Sequence, residues 1–124
     1  MEVRFNCHTD CEIVHKRLQN GAELYIIPKE RETKVAAVSF RAGAADTQFN
    51  YDGKKHTVPA GTAHFLEHRM FEMKEGPVSD QFLALGADVN AYTDGSKTTY
   101  IFKTTDSFEE CFRILLDFIN RPYF

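Results

Sequence analysis

The sequence predicts an α+β domain: antiparallel or mixed strands with helices packed on them. Three observations lead there. The segments Asp88–Thr93 and Lys97–Lys103 are rich in β-branched and aromatic residues and flank Asp94-Gly95, a pair favoured in hairpin turns. A second pair of strand-like segments lies upstream, and helical patterns separate the two pairs. The resulting order of strand, strand, helix, helix, strand, strand, helix suits a layered α+β arrangement, since a doubly wound sheet would alternate single strands with helices.

The first sixteen residues read as a lead-in that alternates polar and apolar side chains and has no apolar signal core. Cys7, His8, Cys11 and His15 lie close together, but their spacing matches no zinc pattern, so free thiols and surface histidines are expected. Cys111 makes three cysteines, an odd number that fits a reducing compartment better than a disulfide framework. Glu23–Ile27 reads as a strand opened by Asn20-Gly21 and stopped by Pro28. The polar run Lys29–Lys34 is expected to be a hairpin loop into a second strand, Val35–Arg41. There Ala36, Val38 and Phe40 alternate with Ala37, Ser39 and Arg41. Gly43 breaks that strand. Residues 44–58 are polar and show no clear period, so a long loop is expected, and loops of that length are commonly functional.

The loop leads into Pro59-Ala60-Gly61-Thr62-Ala63-His64-Phe65-Leu66-Glu67-His68. Good helix formers dominate, Pro59 suits a first turn, and Gly76-Pro77 ends the pattern. On a helix, residues four apart share a face, so His64 and His68 bring their imidazoles together as a pair of zinc ligands. Glu67 borders that face and can act on water beside the metal. This is the inverted His-x-x-Glu-His arrangement. The motif alone leaves a second reading open, in which both histidines are polar positions on an amphipathic helix and Glu67 is a solvated charge.

Ser79 is expected to cap a short helix reaching Leu85, with Gly86 as its stop. In the last helix, Asp106 and Glu109 form a capping-box pattern. Phe108, Cys111, Phe112, Leu115 and Ile119 then make a stripe that packs on the sheet, and Pro122 ends it.

Composition excludes several functions. Hydrophobic residues at 43 % and charged residues at 27 % are those of a folded domain. A net charge of −3 with no long basic run gives no footprint for nucleic acid. No apolar stretch is long enough to cross a bilayer, so no membrane partner is expected and a cytoplasmic location is the default.

Several pieces, in the same order, resemble the N-terminal part of a pitrilysin/insulinase-type metallopeptidase, the inverted-zincin family that includes mitochondrial processing peptidase. They are residues 20–28, Phe40-Arg41-Ala42-Gly43, Gly61–His68, Leu85-Gly86-Ala87, Asn90-Ala91-Tyr92-Thr93 and Thr98-Thr99-Tyr100. The segment Met70-Phe71-Glu72 after Glu67-His68 is most similar to the bacterial zinc peptidases of that family. The resemblance covers residues 17–124 as one partial domain, an incomplete first half of the peptidase domain. It implies a zinc-dependent endopeptidase with His64 and His68 as metal ligands and Glu67 as general base. It also implies that Asn90, Ala91 and Tyr92 form the strand that receives an extended peptide or unfolded polypeptide, although Tyr92 also reads as a plain cross-strand aromatic. In the family the third ligand is a glutamate on a later helix, at a spacing that falls beyond Phe124. The resemblance therefore implies a fragment that does not cleave efficiently by itself, and a homologous second domain or subunit that closes the chamber. The alternative it leaves is a non-catalytic homologous subunit or protein-binding module of a peptidase complex.

Overall fold

The computed structural model describes residues 2–6 and 11–124, and the chain divides into two compact units, Met1–Arg31 and Glu32–Phe124. The smaller unit is an antiparallel sheet in the order β1 (Glu2–Asn6), β2 (Glu12–Arg17), β3 (Glu23–Ile26). Asn20-Gly21 lies in the turn between β2 and β3. There Leu18 N–H bonds the Ala22 carbonyl at 2.8 Å, and the Asn20 side chain accepts from Ala22 N–H at 3.0 Å. The period-2 alternation of the lead-in is thus that of strands. Cys11 is disulfide-bonded, contrary to the free thiol expected. Cys7 and His8 also lie outside the described residues.

The larger unit carries the core. Its main sheet has the order β4 (Lys34–Phe40), β10 (Thr98–Thr104), β9 (Asp88–Thr93), all antiparallel. Because β3 pairs with β2 and β4 with β10, Lys29–Lys34 joins strands of different sheets and is not a hairpin loop. Burial explains the choice. Central strand β10 is almost wholly buried, and Ala36 and Val38 of β4 pack on its core face, whereas every residue of β3 is exposed.

Three helices join this sheet: α1 (Thr62–Met70), α2 (Val78–Ala84) and α3 (Phe108–Asn120). Val78 and Phe82 of α2 and Cys111, Leu115, Phe118 and Ile119 of α3 close over Tyr100 and Phe102 of β10. The α3 stripe is as expected except that Phe118 joins it and Phe108 and Phe112 lie at its margin. Phe118 is the hub, with its ring 5.5 Å from Phe71, 5.7 Å from Tyr100 and 6.3 Å from Phe82.

The expected caps differ. The N-cap of α2 is Pro77, placing Ser79 inside the helix, and that of α3 is Ser107, placing Asp106 outside it; neither makes a side-chain cap bond. Ser107 instead donates its hydroxyl to the Leu85 carbonyl at 3.3 Å, tying α3 to the end of α2. The expected loop 44–58 contains a hairpin, β5 (Gln48–Tyr51) with β6 (Lys54–Thr57), turned at Asp52-Gly53, where both φ values are positive. Phe49 and Tyr51 alternate with polar residues in β5, but over four residues only, and β6 is polar throughout, so the period is too short to stand out. A two-residue pairing of β7 (Glu72–Met73) with β8 (Gly76–Pro77) follows α1.

Candidate metal centre

Helix α1 begins after Gly61, and the Thr62 hydroxyl donates to the Pro59 carbonyl at 2.7 Å. Pro59 therefore lies in the turn before the helix, not in its first turn. At the other end Met70 and Phe71 pack against the core cluster and fix the helix where it leaves for β7. One helical turn separates His64 and His68, and both rings are exposed. Their Nε2 atoms are 3.0 Å apart, with ring centroids at 4.7 Å. Two imidazole nitrogens on one tetrahedral zinc are about 3.3 Å apart, given Zn–N bonds near 2.05 Å. The pair is thus already convergent to within a few tenths of an ångström of a shared metal. As the structure stands, one ring donates to the other. Among the described residues no third His, Cys, Asp or Glu joins them in a group able to hold a metal.

Glu67 behaves differently from its neighbours. It is 6 % exposed, the one buried residue of α1. Its Oε2 accepts a hydrogen bond of 2.6 Å from the Thr93 hydroxyl at the end of β9. The solvated-charge reading of Glu67 therefore fails. Its charge also reaches Tyr100, whose phenol pKa is raised, first by burial and then by the nearby carboxylate.

Strand β9 lies at the edge of the sheet, as a peptide-receiving strand must. Asn90 and Tyr92 are exposed on one face, while Ala91 is half-buried on the face that packs against the core. The Asp94 N–H bonds the Lys97 carbonyl at 2.9 Å, and this sets the phase of the ladder with β10. The N–H of Ala91, three residues earlier, consequently points away from β10. It is satisfied by Asn90 Oδ1 at 2.9 Å. Asn90 thus covers an edge donor that the sequence reading left open to a peptide.

The turn after β9 is a four-residue loop, 94–97, in place of the two-residue turn expected. Asp94 Oδ1 accepts from the backbone N–H groups of Ser96 and Lys97, each at 2.9 Å, and these bonds, Ser96 first, hold its carboxyl below the usual carboxylate pKa. Ala44 and Ala45 donate their N–H groups to the Asp94 and Gly95 carbonyls at 2.8 and 3.0 Å. Gly43 lies so close that a Cβ there would meet Asp94 O and Lys97 N at 2.5 Å. Sequence reasoning saw Gly43 only as a strand breaker; its part in seating this turn depends on a contact some fifty residues away in the chain.

The family described as insulinase, peptidase family M16, matches residues 33–124. The chain belongs to the insulinase family. A relative, the uncharacterized zinc protease YmfH of Bacillus subtilis, is 38 % identical over 115 residues, which cover 90 % of this chain and 27 % of that protein. An M16-like peptidase from Alicyclobacillus acidocaldarius superposes with a TM-score of 0.87 at 36 % identity, over 98 % of this chain and 29 % of that one. Pitrilysin shares the fold, with a TM-score of 0.71 at 19 % identity, over 98 % of this chain and 13 % of its own. This insulinase-family chain thus spans less than a third of the length of these relatives. YmfH carries the name of a zinc protease and the Alicyclobacillus protein that of an M16-like peptidase, while pitrilysin, at 19 % identity, speaks to the fold alone.

Proposed function

We propose that this chain is the part of a zinc endopeptidase that carries two of the metal's ligands, His64 and His68, and the general base, Glu67. The observation that carries the reading is the 3.0 Å approach of the two Nε2 atoms beside a buried carboxylate on the same helix. Bound zinc would supply Lewis-acid polarisation of the scissile carbonyl and acidification of water. Glu67 takes the proton of the attacking water as its oxygen bonds the carbonyl carbon, and returns it to the amine nitrogen as the C–N bond breaks, so that the amine does not have to leave as an amide anion. The third ligand comes from outside residues 1–124.

The substrate in this reading is an extended peptide or unfolded polypeptide laid along the outer edge of β9. It forms main-chain bonds at Ala91 and displaces the Asn90 side chain from that N–H. A homologous domain or subunit encloses it.

The experiment is metal analysis and peptide hydrolysis of the full-length protein. His64→Ala and His68→Ala are expected to lose the zinc, and Glu67→Gln to keep it while hydrolysis falls to background. Zinc retained at wild-type level in both histidine variants would refute the ligand assignment. A zinc-loaded wild type that hydrolyses no peptide would favour the non-catalytic subunit instead.

A further inference from the structure

We propose that Thr93 is the positioning residue of the general base: its hydroxyl holds one oxygen of Glu67 and leaves the other for the reacting proton. The inference rests on the reading of Glu67 as that base. A glutamate has three rotatable side-chain bonds, and a base misplaced by about 1 Å loses on the order of 100-fold in rate. Something must therefore choose its rotamer. The 2.6 Å bond from Thr93 Oγ1 to Oε2 has the length of a charge-assisted O–H···O⁻ bond. It is the hydrogen bond made by this carboxylate among the described residues, and Oε1 is left uncommitted.

Thr93 is itself held firmly. Its β-branched side chain restricts χ1. Its backbone is paired opposite Thr98, whose own hydroxyl is bonded to the Ala42 carbonyl at 2.7 Å. The next residue begins the 94–97 turn, which is clamped by Ala44 and Ala45. The donor to Glu67 is thus mounted on a sheet end and not on α1, so the carboxylate is registered to the strand expected to carry substrate. A hydroxyl that served only to satisfy a buried acid would leave the rate of chemistry untouched once the protein had folded.

The test is steady-state kinetics of the full-length protein on a quenched peptide that the wild type cleaves, together with zinc analysis and a crystal structure of the metal-free variant. Thr93→Val is expected to lower kcat by about 30- to 100-fold, with KM and zinc stoichiometry within about twofold of wild type. Thr93→Ser should restore kcat to within about threefold. In metal-free Thr93→Val crystals the Glu67 carboxylate should leave its place beside β9. Should the valine variant fail to fold, Thr93→Ala carries the same expectations. A kcat within about threefold of wild type in the hydroxyl-free variant, or an unmoved carboxylate, would overturn the proposal. Glu67→Gln in the same assay separates the two levels. If it remains active, the base assignment fails and this inference with it; if it is inactive while the hydroxyl-free variant is not, only the role of Thr93 falls.

Discussion

Replacing Gly43 by alanine tests how tightly the connection between β4 and the β5–β6 hairpin is seated on the turn that follows β9. The added methyl would lie 2.5 Å from Asp94 O and Lys97 N and 2.6 Å from Ser96 N. Ordinary contact begins at 3.4 Å, so the two segments must separate by roughly 0.9 Å. All three neighbours are backbone, which has no rotamer to change. Overpacking of this kind costs about 1–3 kcal/mol. The separation also strains the bonds from Ala44 and Ala45 N–H to the Asp94 and Gly95 carbonyls, each worth about 1 kcal/mol. The expected destabilisation is therefore about 2–4 kcal/mol. It would be read as a shift of the urea midpoint with unchanged m-value. Gly95→Ala is the control: a Cβ there meets nothing within 4 Å, and a change below about 0.5 kcal/mol is expected. If Gly43→Ala unfolds at the same urea concentration as wild type, the close approach is not a feature of the folded protein.

Two other outcomes follow from the site. Asp94 has a folded pKa below its ordinary value of 3.8, so its contribution is fully present above that value and is lost as pH falls through the lower folded pKa. The stability gap between wild type and Asp94→Ala, measured by thermal unfolding, should be constant from pH 7 to about pH 5 and shrink below pH 3.8; a gap that widens in acid would refute this. Ala91→Pro removes the edge N–H without touching the ladder to β10, and should raise KM for a peptide by about fivefold while zinc binding is kept. An unchanged KM would mean that substrate does not use that donor.

The parts of the fold legible in the sequence are those where one segment carries its own signal. The β9 and β10 strands, the α3 stripe and the His64–His68 spacing are all local patterns, and the structure has them within a residue or two. The β5–β6 hairpin is hard to read because Gln48-Phe49-Asn50-Tyr51 alternates over only four residues and its partner Lys54–Thr57 is polar throughout, even though Asp52-Gly53 is in plain view. The smaller sheet is the opposite case: its alternation stands in the sequence, but alternation alone does not say which segment a strand pairs with. Caps were misplaced because Asp106 and Ser79 are good cap residues in the wrong register, and packing of Phe82 and Phe118 outweighs a cap bond. The Thr93–Glu67 bond joins residues 26 apart in the chain, and no periodicity announces a pair of that kind.

The one buried residue of helix α1 is an acid; its Met70 only borders the core, and Phe65 and Leu66 are 64 % and 43 % exposed. Expulsion of water from greasy side chains, which seats α3 through four buried residues, does little for α1. Hydrogen exchange within the larger unit should accordingly be uneven, with amides of 62–70 trading their protons well before those of 108–120. The segment proposed to bear the chemistry would then be the one most easily loosened and the one whose order depends most on what binds to it.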